Sequence, residues 1–240
     1  MRDNHHYRFF VKPDSIKGDL FVSGEKDLVN QIKNVFRLKP EAEIFVLNGE
    51  GEEFIVKLES ITKNNVSGKI IEHFDLENKN SAKTILFIPV IKNSNFDLIL
   101  EKCTELGVDE FQPVIYEHSV IRKTENKDRW NKIVKEASEQ SGRKTMPKVR
   151  DVLFFSDAID TISNENVIVL FEGSKTEISS LGKNVFAGNQ IILVGPEGGF
   201  SDSELSELEK RKFNFFKMGD NILRAETACI SGVGFISFLC

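Results

Sequence analysis

Short stretches of alternating apolar and polar residues predict a β-rich unit in the N-terminal third of the chain. Residues 43–47 form an apolar strand that ends at Asn48 and Gly49, a pair typical of a hairpin turn. Residues 26–37 instead repeat apolar side chains at helical spacing. Several short strands around one helix predict a small barrel. The further predicted strands are 7–11, 53–61 and 66–73.

The pattern changes after a polar segment at residues 74–83, where we place the linker between domains 1–74 and 75–240. Continuous apolar runs beyond it predict strands that are buried on both faces. Their alternation with helical repeats predicts an α/β domain with a mostly parallel sheet. The predicted strands are 84–91, 110–116, 167–171, 190–194 and 213–218, and the predicted helices are 96–106, 129–141, 201–212 and 225–239.

Composition and charge narrow the possible functions. The chain has 240 residues, of which 40% are hydrophobic, and a net charge of −5. This acidic balance argues against a protein that coats nucleic acid non-specifically. No apolar run approaches the roughly 20 residues that span a bilayer, and the histidines lack the spacing of metal ligands. We therefore expect a cytoplasmic protein with no membrane segment and no metal.

The most informative segment is a glycine-rich loop, GPEGGF (195–200), that follows the predicted strand 190–194. Glycines lack a Cβ atom, so another molecule can approach the backbone closely. Ser201 and Glu204 then match a capping box that begins a helix. Strand, bare loop and capped helix form the arrangement with which α/β proteins bind ligands at the carboxyl ends of strands. A tight turn between strand and helix is the alternative interpretation.

Two further loops follow predicted strands, MGDNILRAETA (218–228) and FEGS (171–174). Loops at the carboxyl ends of strands in one parallel sheet can meet in a single pocket. The chain contains no GxGxxG segment, so it lacks both the Rossmann dinucleotide loop and the nucleotide loop usual in methyltransferases.

The segments LVGPEGGFSDSE (193–204) and MGDNILRAETA (218–228) together resemble the RsmE-type family of 16S ribosomal RNA (uracil-N3)-methyltransferases, a branch of the SPOUT superfamily. EKCTELGV (101–108), EASEQSGR (136–143) and RFFV (8–11) resemble further family segments in the same order, so the likeness runs nearly from end to end.

The resemblance implies a PUA-like β-barrel domain that holds RNA, followed by a SPOUT α/β-knot domain with a C-terminal trefoil knot. It implies a homodimer that uses S-adenosyl-L-methionine to methylate N3 of one uridine in the decoding region of 16S rRNA, within the small ribosomal subunit. The chain departs from the family pattern at Gln31, Asn95 and His118, three positions expected on the RNA side.

The resemblance assigns the methyl donor to the three loops. Uncharged adenine suits the backbone amides and carbonyls of exposed loops, which explains the glycines, and a carboxylate at Glu197 would favour the positive sulfonium. The expected cofactor-binding residues are Phe171, Glu172, Gly173, Val194, Gly195, Pro196, Glu197, Gly198, Gly199, Met218, Gly219, Ile222, Leu223, Arg224 and Thr227.

Uracil N3 is a poor nucleophile until its proton leaves. We expect Arg224 to stabilise charge that develops on a uracil carbonyl or the adjacent phosphate, and either Glu197 or Glu226 to take the proton. The structural alternative for Arg224 is a salt bridge to Glu226 or to the partner subunit. The alternative for Glu197 is capping of the next helix or holding a loop by backbone hydrogen bonds. Arg143 is expected at a phosphate or at the active site across the dimer. The expected RNA contacts are Arg8, Arg37, Arg122, Lys123, Arg143 and Lys144.

Three other functions remain open on the sequence. The chain could be an RNA-binding module that has lost catalysis, as the departures at Gln31, Asn95 and His118 would allow. It could be a different α/β enzyme that uses another nucleotide, for instance an oxidoreductase. It could also be a SPOUT enzyme that acts on another RNA or another atom, since the cofactor loops would then look alike.

Overall fold

The computed structural model describes residues 7–49, 51–75, 82–121, 126–163, 166–182 and 188–239. The chain forms two compact units: the first is Met1–Lys79 with Ser138–Met146, and the second is Asn80–Ala137 with Pro147–Cys240. Arg122 and Lys123, predicted to contact RNA, and most of the predicted linker 74–83 lie outside the described residues. No helix in the described ranges combines the length and the apolar character needed to cross a membrane.

A six-stranded sheet builds the first unit, in the order β1-β4-β5-β6-β3-β2. Adjacent strands in this sheet are antiparallel, except that β1 and β4 are parallel to each other. Side chains such as Phe9, Phe21, Ile44 and Val56 form the hydrophobic core of this unit. The predicted β-rich unit is thus confirmed. The strands are β1 Arg8–Phe10, β2 Ile16–Lys17, β3 Leu20–Ser23, β4 Glu43–Leu47, β5 Glu52–Ile61 and β6 Val66–Asp75.

The helix predicted at 26–37 is present, but it changes type halfway. An α-helix, α1, covers Lys26–Asn30, and a π-helix continues it over Gln31–Val35. Leu28 and Ile32 are buried on one side of it. Strands β2 and β3 were not predicted, because a strand of two to four residues shows almost no periodicity.

A seven-stranded parallel sheet builds the second unit, in the order β10-β8-β7-β12-β11-β13, with β9 beside β8. Alternate residues of one strand enter two different cores: Leu86 and Ile88 pack in one, Ile85 and Phe87 in the other. The strands are therefore buried on both faces, and the predicted α/β class is confirmed. They are β7 Thr84–Pro89, β8 Glu110–Ile115, β9 Lys148–Val149, β10 Leu153–Phe154, β11 Asn166–Leu170, β12 Gln190–Val194 and β13 Asn214–Phe216.

The remaining helices follow the strands of this sheet. They are α2 Asn93–Glu105, α3 Lys127–Ser141, α4 Phe155–Asp160, α5 Asp202–Lys210 and α6 Ala225–Ser237. The last residues of α3 belong to the first unit. In the sheet, β11 lies between β12 and β13, so the loops after these three parallel strands leave the same edge side by side.

Candidate active site

The loops after β11, β12 and β13 line one cavity of about 360 Å³, a size typical of small-molecule sites. The structure therefore brings together most of the expected cofactor residues. Those that line the cavity are Glu172, Val194, Gly195, Pro196, Glu197, Gly199, Ile222, Leu223 and Arg224. Those that do not line it are Phe171, Gly173, Gly198, Met218, Gly219 and Thr227.

Five lining residues were not among the expected ones. Leu170 ends β11, Phe200 ends the glycine loop, and Asn95, Ala225 and Ala228 lie on helices. The i, i+3 spacing of the two alanines was the available signal on α6, because it places both small side chains on one helix face. For Asn95 the only signal in the sequence was its departure from the family pattern.

The glycine loop is a tight turn that needs its glycines. The Gly199 amide donates to the Pro196 carbonyl at 2.9 Å, and Gly199 has a φ of +74°, which only glycine adopts readily. A Cβ atom at Gly195 would lie 3.0–3.2 Å from the Phe200 ring. The loop therefore presents bare backbone to the cavity, as a closely approaching ligand requires.

The helix after the loop is anchored by its own cap. The Ser201 amide donates to Glu204 Oε2 at 2.9 Å, and the Glu204 amide donates to Ser201 Oγ at 3.3 Å. Glu204 Oε1 also accepts the Glu117 amide from the loop after β8 at 2.9 Å. The predicted capping box is confirmed, and Glu197 is not the residue that caps α5.

The charged candidates differ in their surroundings. Arg224 is the exposed N-cap residue of α6, and its carbonyl accepts the Ala228 amide at 2.9 Å. Among the described residues Arg224 makes no salt bridge, so the alternative pairing with Glu226 is not formed. Glu226 is half-buried, and its Oε2 is buried without a hydrogen-bond partner in the described part of the chain. Glu197 is exposed at the cavity.

The C-terminal helix α6 packs against Leu170, one of the residues that line the cavity. A Cβ atom at Gly232 would lie 2.5 Å from Leu170 Cδ1 and 3.7 Å from Met218 Sδ, so α6 packs tightly on the end of β11. The loop before α6 is held by Lys217, which bonds Asp220 at 2.9 Å. That hydrogen bond and the lysine charge lower the pKa of the Asp220 carboxyl. The site is therefore built on packed strands and a packed helix.

The three departures from the family pattern have distinct surroundings. Asn95 lines the cavity. His118 contacts the glycine loop through its Nδ1 atom. In the first unit, the Gln31 side-chain amide donates to Glu139 Oε2 at 3.4 Å.

The described residues expected to contact RNA all belong to the first unit. Arg8 is half-buried: its Nη1 lies 3.3 Å from Glu53 Oε1 and donates to the Gly142 carbonyl at 3.1 Å. Arg143 is also half-buried, and its Nε donates to the Thr145 carbonyl at 3.2 Å. Arg37 and Lys144 are exposed. Arg37 has a φ of +52°, an uncommon conformation for a residue with a side chain.

Comparison with known proteins supports this arrangement. The family model for an RNA methyltransferase domain matches residues 78–237, and that for an RNA methyltransferase PUA domain matches residues 26–71. The ribosomal RNA small subunit methyltransferase E of Mesomycoplasma hyopneumoniae is 34% identical over 93% of this chain and 96% of that protein. The protein of the same name from Bacillus subtilis is 30% identical over 90% of this chain and 89% of its own length.

A solved structure is similar to this chain over both of its units. The Neisseria gonorrhoeae ribosomal RNA small subunit methyltransferase E, bound to S-adenosyl methionine, superimposes with a TM-score of 0.88 over 98% of each chain, at 26% identity. The family models, the two relatives and this structure all point to one family. The chain therefore belongs to the ribosomal RNA small subunit methyltransferase E family of RNA methyltransferases.

Proposed function

We propose that the chain transfers the methyl group of S-adenosyl-L-methionine to N3 of one uridine in the decoding region of 16S rRNA. It would act as a cytoplasmic homodimer on the small ribosomal subunit. The observation that carries this proposal is the convergence of the loops after β11, β12 and β13 on one cavity, which residues of the glycine loop and of the start of α6 line.

The residues of the cavity fit the methyl donor. Bound there, S-adenosyl-L-methionine would supply an electrophilic methyl group on a positive sulfonium. The backbone of Gly195 and Gly199 can bond an uncharged adenine, while Leu170 and Leu223 offer apolar contact. The carboxylate of Glu172 suits ribose hydroxyl groups or the positive charge. Nine expected cofactor residues line the cavity and are the first candidates for this contact, and the other six stay part of the proposal.

The chain must also handle the proton on uracil N3. A carboxylate that accepts this proton has to lie within hydrogen-bond reach of the base. Glu197 is exposed at the cavity, and Glu226 has a buried oxygen with no partner in the described ranges. Both remain candidates for the base. Arg224 at the N-terminus of α6 is free to stabilise negative charge on a uracil carbonyl or a phosphate, since no carboxylate in the described residues neutralises it.

RNA would be held by the first unit. Arg37 and Lys144 expose their charges there, and we propose that they contact phosphates. Arg8 and Arg143 also bond groups of their own unit, and each keeps further N–H donors. The proposal therefore keeps both as RNA contacts, with Arg143 at a phosphate or at the active site across the dimer. The domain boundary at residue 74 stays part of this proposal, as does the trefoil knot.

Mapping the methylated nucleoside tests the assignment. The protein is incubated with labelled S-adenosyl-L-methionine and small subunits from a strain that lacks the modification. We expect label on N3-methyluridine from 16S rRNA. Label on a ribose, a purine or another RNA would show a different methyltransferase, and calorimetry without any heat of cofactor binding would show a protein that has lost catalysis.

A further inference from the structure

A cleft in the first unit forms a second candidate site. It has a volume of about 550 Å³ and lies between the helix that begins with α1 and the turn that joins β5 to β6. Lys26 and Lys33 line it from the helix, and Lys63 lines it from the turn. Three positive charges thus converge on one cavity from two separate segments of the chain.

The charges of these lysines are not neutralised. Neither Lys26, Lys33 nor Lys63 has a carboxylate within ion-pair distance in the described ranges, and no described carboxylate lines the cleft. By contrast, Lys57 of the same unit pairs with Glu41 at 2.6 Å. Like charges around one cavity repel one another. An anion that binds between the three ammonium groups would therefore lower this repulsion.

Asparagine side chains supply the remaining polar surface of the cleft. Asn30, Asn34 and Asn64 line it, and the Asn34 amide donates to Asn30 Oδ1 at 2.8 Å, which leaves further donors and acceptors open to solvent. Gly24 also lines the cleft, and a Cβ atom there would lie 2.8 Å from Asn65 Oδ1. A larger residue at Gly24 would therefore press on the turn that forms one wall.

A π-helical turn lies beside the cleft. The Phe36 amide donates to the Gln31 carbonyl five residues back, at 2.8 Å. Lys33 and Asn34 on this turn line the same cavity as Lys26, while Ile32 stays in the core. Such π-helical turns are rare and occur frequently at functional sites.

We propose that this cleft binds the phosphodiester backbone of a single-stranded segment of the RNA substrate, an inference that rests on the proposed function. Lysine ammonium groups act as point charges for phosphates, and the asparagine amides can bond the 2′-hydroxyl groups or base edges between them. The cleft adds a contact surface to the exposed arginine and lysine already assigned to RNA. It positions the RNA and takes no part in the chemical step.

The test compares two triple variants of the full-length chain that carry the same change in charge. The cleft variant is K26Q/K33Q/K63Q. The control is K17Q/K39Q/K69Q, which removes three exposed lysines of the same unit that do not line the cleft. Fluorescence anisotropy with a labelled single-stranded fragment of 16S rRNA measures affinity at several KCl concentrations.

We expect the cleft variant to bind RNA about tenfold more weakly or worse at 0.1 M KCl and to lower the slope of log affinity against log salt by about 2. The control should change the affinity less than about twofold. Equal losses in both variants, or no loss in the cleft variant, would overturn the proposal. A poly-glutamate peptide serves as a second probe. If it binds the cleft variant more weakly than the wild type while RNA binds both equally well, the cleft binds an acidic protein and the proposal is overturned.

The two proposals can fail separately. If the wild-type chain methylates small subunits but both triple variants bind RNA equally well, the cleft assignment is wrong and the proposed function stands. If the cleft variant alone loses RNA affinity but the wild-type chain methylates no rRNA, the proposed function is wrong and the cleft remains an RNA site. Calorimetry with S-adenosyl-L-methionine, expected to give equal affinities for all three proteins, verifies that the second unit is unchanged, and equal circular dichroism spectra and melting temperatures verify that the first unit has kept its fold.

Discussion

The imidazole of His118 lies directly against Gly198 in the glycine loop. Its Nδ1 is 3.2 Å from the carbonyl oxygens of both Gly198 and Gly199. Both oxygens are acceptors, so Nδ1 carries the proton and donates to them. A Cβ atom at Gly198 would lie 2.9 Å from Cβ of His118, well inside normal carbon contact. The loop after β8 thus positions the glycine loop by a hydrogen bond and by close packing.

Replacement of Gly198 by alanine should therefore push the glycine loop away from His118. We expect an overpacking cost of about 1–3 kcal/mol that weakens S-adenosyl-L-methionine binding roughly tenfold, as calorimetry would measure. Gly182→Ala is the matched control, because a Cβ atom there meets nothing within 4 Å. Cofactor affinity in Gly198→Ala equal to that of the control would show that this contact does not shape the site.

Features set by local residues could be predicted from the sequence. Strand β12 has the predicted bounds, Gln190–Val194, because a short apolar run between turn residues allows little else. The Ser201 cap was predicted because Glu204 follows it at the capping-box spacing. The glycine loop was likewise singled out by its composition alone.

Features set by tertiary packing could not be predicted. Asn95 on α2 reaches the cavity because β7, the strand before α2, pairs with β12, and Ala228 on α6 reaches it because β13 pairs with β11. No local pattern encodes that strand order. The two-residue strands β9 and β10 exist through pairing with β8 and have no periodicity of their own. The π-helical turn after α1 was not predicted either, since its hydrogen bonds span five residues instead of four and the apolar spacing does not show this difference.

Loss of the Glu204 carboxylate should destabilise the second unit. It accepts one backbone amide within the capping box and one from Glu117, and it is only 5% exposed. Removing it leaves both donors unsatisfied, so Glu204→Ala should lower the free energy of unfolding by about 2–4 kcal/mol. Urea denaturation measures the change. The exposed Glu209→Ala, on the same helix, should change it by less than about 0.5 kcal/mol, and comparable losses in the two variants would contradict this role for the cap.

The ion pairs of Glu110 with Arg150 and Lys83 should make the free energy of unfolding depend on pH. Burial disfavours the charge on Glu110, but hydrogen bonds and charges from Arg150 and Lys83 outweigh it and lower the pKa of the carboxyl. A lowered folded-state pKa stabilises the protein above the unfolded value near 4.5, and this contribution is lost as the pH falls through the lower folded value. Glu110→Gln should therefore be less stable than wild type at pH 7, with a gap that narrows below about pH 4.5.

Urea midpoints measured from pH 7 downwards would check this dependence. Glu209→Gln is the control, because that carboxylate is exposed and forms no ion pair among the described residues. A stability gap between Glu110→Gln and wild type that stays constant down to the acid-unfolding pH would mean that the pKa of Glu110 is unchanged by folding.

Arg224 should matter for catalysis far more than for cofactor binding or folding. Its guanidinium is exposed at the cavity and forms no salt bridge in the described part of the chain, so Arg224→Ala should leave the melting temperature nearly unchanged. If it stabilises charge that develops on the uracil or its phosphate, kcat should fall about 10²–10³-fold, while the Kd for S-adenosyl-L-methionine changes less than about threefold. Arg224→Lys keeps the charge and should recover part of the rate. Single-turnover methylation of small subunits and calorimetry separate the two quantities, and an equal loss of rate and cofactor affinity would assign Arg224 to cofactor binding instead.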